Sequence, residues 1–291
     1  MNKQKIFMAF IAFLFILSAN AQLLWKVSGN GLTKPSYLFG THHLIEKNQI
    51  KDFDKILILS GQSDAVVGEM DMTDMASMQA KIMQVAVMPG KNIKDMISTA
   101  DYTLVDTELK QILGAGLDQL GAFKPIMLET MFVGLVYIRS QNLTKQPEAI
   151  DILFQKNAKD NHKQVIGLET IEQQAAIMFD SLSLNRQAEI LVKSVKEKQK
   201  EIDLINRLNE YYLAGDLKKL SELDKEDDDM TPAEKKPMYE NRNTDWMKQI
   251  PALLNKQSCF IAVGCMHLVG DTGLIEQLKK AGYTVEGIVN L

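Results

Sequence analysis

Two short segments carry the residue types and spacing from which a hydrolytic or metal-binding site could be built. Gly40-Thr41-His42-His43 follows the apolar run Tyr37-Leu38-Phe39, and Gly264-Cys265-Met266-His267 follows Phe260-Ile261-Ala262-Val263. Each is a β-type run, then Gly-x-x-His, then Leu. A histidine three residues past such a glycine would stand just beyond a strand's carboxyl end, where open α/β sheets place their sites. The chain has only four histidines, and two of them repeat one context, so His43 and His267 are candidates for a shared cleft. His42 could pair with Glu46 at i+4 or serve as a hydrogen-bonding neighbour, and His162, among Lys159, Asp160, Asn161 and Lys163, reads as a solvated loop residue.

Carboxylates occur in two matching places. Val66-Val67-Gly68-Glu69 and Val165-Ile166-Gly167-Leu168-Glu169 both end a β-run with glycine and then glutamate. A glutamate there must cap the next helix, pair with a cation or hold a metal, because an unpaired buried charge is costly. Capping and function are both open for Glu69; for Glu169, with Thr170 at a helix start, capping is the leading reading. Arg242, between Asn241 and Asn243 and near Trp246 and Ile250, either clamps a carboxylate or oxyanion from a helix facing the sheet or packs its stem at the surface.

Other chemistries lack their signatures. There is no Gly-x-Ser-x-Gly elbow, no His-Glu-x-x-His helix and no Walker lysine, and Gly114-Ala115-Gly116 lacks the third glycine of a dinucleotide loop. The acidic run 224–229 departs from a calcium loop at Asp229 and Lys235 and reads as a solvated loop. Cys259 and Cys265, about 20 Å apart if on one strand, read as small buried side chains rather than a bridge. A net charge of -4 argues against a nucleic-acid partner.

The elements that must position these groups follow from local pattern. Runs 23–27 and 36–40 around an Asn-Gly turn predict a hairpin, and 64–69, 163–168, 259–263 and 283–289 predict buried strands. Helical periodicity fills 70–88, 126–138, 150–158 and 184–213, and the methionines at 70, 72, 75, 78, 83 and 88 predict pliable core or groove lining. In the last unit, Asp271 or Thr272 would cap a helix that Gly282 ends, with the flanking strands paired in parallel. The fold class is α/β, a mixed central sheet with a large helical insertion.

Lys3 and Lys5, the apolar run 6–17 and Ala19-Asn20-Ala21 form a signal-peptide pattern, too short for a membrane span. We therefore expect 1–21 to be removed and 22–291 to form one exported, periplasmic or secreted domain without a transmembrane anchor.

Leu24-Trp25-Lys26-Val27-Ser28, the 37–43 segment, Gly167-Leu168-Glu169-Thr170, Glu240-Asn241-Arg242-Asn243 and the 262–270 segment together resemble the TraB/GumN family, which includes the animal Tiki proteins. The resemblance implies a fold shared with Tiki, erythromycin-esterase-like and ChaN-like proteins. It implies a metal-dependent peptidase favouring manganese or cobalt, with zinc possible, and a site at His43, Glu69, Arg242 and His267. In that reading His43, Glu69 and His267 hold the ion, Arg242 stabilises an oxyanion, and Glu169 could take a proton from water. The alternatives are an exported protein that binds haem, a metal or a peptide without turnover, and a metal-free histidine-based hydrolase. The substrate would be a peptide or small molecule.

Overall fold

The computed structural model describes residues 22–291, so the expected signal peptide at 1–21 lies outside the described residues. Six strands form one mixed sheet: β1 (Leu24–Gly29), β2 (Ser36–Thr41), β3 (Ala65–Gly68), β4 (Gln164–Gly167), β5 (Cys259–Gly264) and β6 (Tyr283–Gly287), in the order β4-β3-β5-β2-β1-β6. All six expected strands are present. The hairpin is antiparallel, with Leu24 opposite Phe39 and Val27 opposite Ser36, and its turn sets Asn30 and Gly31 both at positive φ.

β5 is central. It pairs in parallel with β2 on one side, Thr41 opposite Gly264, and with β3 on the other, Gly68 opposite Ala262. β4 extends the parallel set beyond β3, Gly68 opposite Gly167. The carboxyl ends of β2, β3, β4 and β5 therefore lie along a single edge. One expectation is corrected here: β6 runs in the same direction as β5 but does not pair with it, lying instead antiparallel to β1 at the far side. The connection from β5 steps over β2 and β1, because those two strands already occupy the neighbouring position.

Both sheet faces are covered, which explains why the parallel strands read as continuous apolar runs. Leu38, Val67, Ile261 and Val263 point to one face, against Trp246, Ile250, Leu254, Leu274 and Leu278. Phe39, Val66 and Phe260 point to the other, against Phe53, Ile56 and Phe154 from the helices Phe53–Gln62 and Ile150–Asp160. A separate helical body has its own core of Val105, Leu109, Leu128, Phe132 and Leu191, matching the expected helical insertion.

Local departures have local causes. The pattern over 184–213 forms two helices, Leu184–Lys196 and Lys198–Leu213, broken at Glu197 (φ −108°, ψ 25°). The final helix, Leu274–Lys280, is capped by Gly273 rather than Asp271 or Thr272. A Cβ at Gly273 would lie 2.4 Å from Leu268 O, so close backbone packing sets that residue. The helix Met75–Val85 buries none of its residues, and Met75 and Met83 are exposed; only Met70 and Met88 of the methionine series join the core. Among the described residues no helix is long and apolar enough to cross a membrane.

Candidate functional site

Glu69 and Glu169 each stand just beyond a strand end, and the ladder continues through them: Leu168 N–H donates to Gly68 O at 3.0 Å and Glu169 N–H to Glu69 O at 2.9 Å. The two carboxyl groups are thus neighbours before any side chain moves. Neither caps a helix. Thr170 and Gln173 form the capping box of Ile171–Asp180, and Asp74 caps Met75–Val85. The capping reading of Glu169 is therefore corrected, since the adjacent threonine has taken that role.

Both carboxylates close on one cation. The short helix Glu240–Trp246 presents Arg242, Asn243 and Trp246 to the sheet. Arg242 Nη2 lies 2.6 Å from Glu69 Oε2 and 2.5 Å from Glu169 Oε1, and Nε donates to Glu169 Oε2 at 3.1 Å. Its guanidinium sits over the Trp246 ring at 4.8 Å, while Trp246 Nε1 donates to Glu169 at 3.3 Å. The side chain is only 10% exposed, so the surface reading of Arg242 does not hold.

His267 completes the group from the 3-10 turn Cys265–Leu268 after β5. Nδ1 lies 2.7 Å from Asn243 Oδ1, an acceptor, so Nδ1 carries the proton and the Nε2 lone pair faces Arg242 Nη1 at 3.0 Å. Glu69 Oε1 is 3.7 Å from Nε2. Burial holds the imidazole down at about 4, with Arg242 adding to the effect and Glu69 opposing it, so the ring is neutral at pH 7. Burial alone would raise Glu69; His267, Arg242 and the Gly264 N–H at 2.8 Å outweigh it and hold that carboxyl at about 2. The approach is close, since a Cβ at Gly264 would meet Glu69 Oε1 at 3.2 Å and push the carboxylate back by a few tenths of an ångström.

Among the described residues, no ion pair or hydrogen bond joins His43 to this group. His43 lies beyond the end of β2, next to β5, is 60% exposed, and places Nδ1 3.2 Å from Asp151 Oδ2. Asp151 belongs to the first turn of the helix Ile150–Asp160; burial raises its carboxyl, His43 opposes that, and the nearby charge of Glu69 adds to it. Its Oδ1 is buried, and the donor nearest to the carboxyl is the Thr41 hydroxyl, which has no other partner among the described residues. His42 does not enter the cleft: Nε2 lies 2.7 Å from Asn209 Oδ1 and the ring packs on Tyr212. His162 is exposed with φ 54°, a loop residue as expected.

Sequence reasoning missed Asp151 and Gln174, whose Nε2 bridges Glu69 and Glu169 at 3.1 and 3.0 Å. An available clue was that Asp151 falls beside the apolar stripe of Ile150, Phe154 and Ala158, where a charge must find a partner. Cys259 and Cys265 are buried free thiols, pushed up by burial to about 11 and about 12, and so are not nucleophiles. The 224–229 run also departs from a solvated loop, because Lys193, Lys200 and Lys235 pair with Asp224, Asp227, Asp228 and Asp229.

No curated protein and no solved structure gave a significant match to the chain. The model of the TraB/PrgY/gumN family matches residues 23–287, almost the whole described length and every residue of this site, and the chain belongs to that family.

Proposed function

We propose that the carboxyl-terminal edge of the sheet is the active site of a metal-dependent hydrolase acting on an acyl bond, a peptide in the simplest case. The observation that carries this reading is an excess of carboxylate at the edge. Glu69 and Glu169 share one guanidinium, that of Arg242, and the buried Asp151 is met among the described residues only by His43 and the Thr41 hydroxyl. A buried carboxylate of that kind, at a sheet edge that also carries two histidines, suits a hard or borderline divalent ion. His43, Glu69 and His267 would hold it, with Asp151 as a further oxygen. Bound there, the ion would acidify a water and polarise the scissile carbonyl.

The chain's own residues supply the rest. Asn243 fixes the His267 tautomer, as an outer partner does for metal-binding histidines. Arg242, whose N–H groups are turned to Glu69, Glu169, His267 and Met238 O, would stabilise a carbonyl oxygen only by exchanging one of these partners for it. Glu169 has both oxygens engaged, by Arg242, Gln174 and Trp246, so its role in this reading is to hold Arg242 rather than to take a proton.

A second reading, a metal-free hydrolase, is favoured by one contact: Arg242 Nη1 already occupies the His267 Nε2 lone pair at 3.0 Å. In that case His43, oriented by Asp151 at Nδ1 and open to solvent, is the general base. Metal content and peptide-library cleavage with and without chelator, on wild-type, His43→Ala, His267→Ala and Asp151→Asn proteins, separate the two. Metal loss in the variants together with chelator-sensitive cleavage supports the metallohydrolase. Cleavage that survives chelator but needs His43 supports the base, and metal or peptide binding without turnover supports a binding protein. Export is part of the proposal, resting on the pattern at 1–21; an N-terminus at Gln22 in secreted material would support it, and an intact Met1 would oppose it.

A further inference from the structure

Next to this edge, and separated from it by one aromatic ring, is a cavity of about 290 Å³. Tyr239 and Met266 line it, and the Tyr239 ring packs on His267 with centroids 5.5 Å apart. The volume is at the low end of small-ligand pockets, about 300–1,000 Å³, and fits one side chain rather than a large ligand.

The lining is apolar along its length and acidic at one end. Ile126, Leu204, Leu208 and Leu220 form the wall, and Glu129, Glu201, Asp224, Asp227 and Asp229 form the acidic end. Three of these acids have cations: Lys235 pairs with Asp224 and Asp227, and Lys193 with Asp229. Among the described residues, Glu129 and Glu201 have none. Glu129 accepts hydroxyl bonds from Ser194 at 3.3 Å and Thr130 at 3.4 Å. Glu201 is 8% exposed, and its Oε1 has no hydrogen-bond partner among the described residues; its neighbour is another carboxyl, that of Asp229. Two acceptors facing each other in an apolar cavity require a proton or a cation between them. Burial pushes Glu129 up to about 7 and Glu201 up to about 8, with the charges of Asp227 and Asp229 adding to it, as expected of acids lacking a counter-charge.

We propose that this cavity is the specificity pocket of the hydrolytic site and takes a basic side chain, lysine or arginine, from a peptide substrate. The aliphatic stem lies along Ile126, Leu204 and Leu208, and the cationic head reaches Glu129 and Glu201. Apolar walls leading to uncompensated carboxylates match that side chain and neither a purely apolar nor an acidic one. The inference rests on the hydrolase reading for the word substrate, but the pocket's cation selectivity can be measured without turnover.

Calorimetry with 1-pentylamine and n-butylguanidine, and with 1-pentanol as the neutral control, tests selectivity on wild-type, Glu129→Gln, Glu201→Gln and doubly substituted protein. The cations should bind wild type and pentanol should not, with each single substitution weakening binding roughly tenfold or more, the loss of one charge-assisted hydrogen bond. Circular dichroism of the isosteric variants checks that they fold. Equal binding of pentanol and pentylamine, or undiminished amine binding by the double variant, would overturn the proposal. Peptides carrying lysine, arginine or norleucine at one position provide the second arm. Failure of lysine peptides to compete with pentylamine, or cleavage indifferent to lysine against norleucine, also overturns it while leaving the hydrolase reading intact. Absence of any cleavage, with lysine peptides still competing in a Glu129- and Glu201-dependent manner, removes the hydrolase reading and keeps the cation pocket.

Discussion

Replacing Arg242 by methionine keeps most of its length and its contact with Trp246 and removes the single cation between Glu69 and Glu169. Two buried or nearly buried carboxylates would then face each other across adjacent strand ends with only Gln174 and Gly264 donating to Glu69. Holding Glu69 at about 2 instead of 4.5 corresponds to about 3 kcal/mol at neutral pH, at about 1.4 kcal/mol per pH unit, and Arg242 supplies part of it beside His267 and the Gly264 amide. Arg242 also neutralises Glu169, and breaking a buried ion pair from one side typically costs ~3–5 kcal/mol. At about 2–4 °C per kcal/mol for a domain of this size, the melting temperature at pH 7 should fall by roughly 6–20 °C. Adding Glu69→Gln and Glu169→Gln to Arg242→Met removes the stranded charge and should recover most of the loss, whereas Arg242→Lys should be intermediate because it lacks the fork. Thermal melts by circular dichroism measure all four proteins. If Arg242→Met melts within 2 °C of wild type, or the triple variant is no better than the single one, the carboxylates are not held by that guanidinium as argued.

In the hydrolase reading Asn243→Ala should reduce activity by about 10–100-fold, because the imidazole loses its tautomer-fixing partner, and should lower the melting temperature because His267 O and Thr272 O lose their donor; steady-state kinetics beside a thermal melt would show both. Wild-type stability should fall as the pH drops. His42 and His267, held by burial near 4, stabilise the fold fully above pH 6.5 and lose that contribution as the pH approaches 4, and Glu69 adds its own loss from 4.5 toward 2. The opposite sign holds for Glu129 and Glu201, whose contribution is present below 4.5 and is lost as the pH rises through about 7 and 8. Accordingly, Glu129→Gln/Glu201→Gln should melt higher than wild type at pH 9 and close to it at pH 5, as read from melts across pH 3–9. Tyr212→Phe removes a bond to Gly40 O at 2.9 Å and should cost about 1 kcal/mol by urea unfolding without altering His43 chemistry.

The strands, His267, Glu69 and the Arg242 segment were legible because their signatures are local: valine-rich runs closed by glycine, and a histidine or carboxylate directly after. What was not legible depends on partners far along the chain. Nothing near Glu169 reveals Arg242, 73 residues away, and Thr170 beside it supports the wrong role. Asp151 at a helix start resembles an ordinary acidic first turn until His43, from a distant strand, is set against it. The parallel partner of β5 was misjudged for the same reason: adjacency in sequence favoured β6, while β2 and β3 had filled both sides. The methionine helix shows the converse, since helical spacing was real but its face meets Ile171–Asp180 only partly buried, with Ile82 against Ala175 and Phe179 and Met78 lining a groove.

The position of β5 has a consequence for the order in which the molecule can form. It is the wedge between β2 and β3, yet it is made about two hundred residues after either of them. Until residues 259–264 arrive, β1–β2 and β3–β4 can exist only as two separate pairs with open edges, each a template for wrong pairing. Closure of the sheet and creation of the site are then a single late event, because the same segment that joins the pairs also delivers His267 and the Gly264 amide that holds Glu69. Folding should therefore be slow for the chain's helix content, governed by long-range pairing, and a product ending before residue 259 would have neither a continuous sheet nor half of its chemistry.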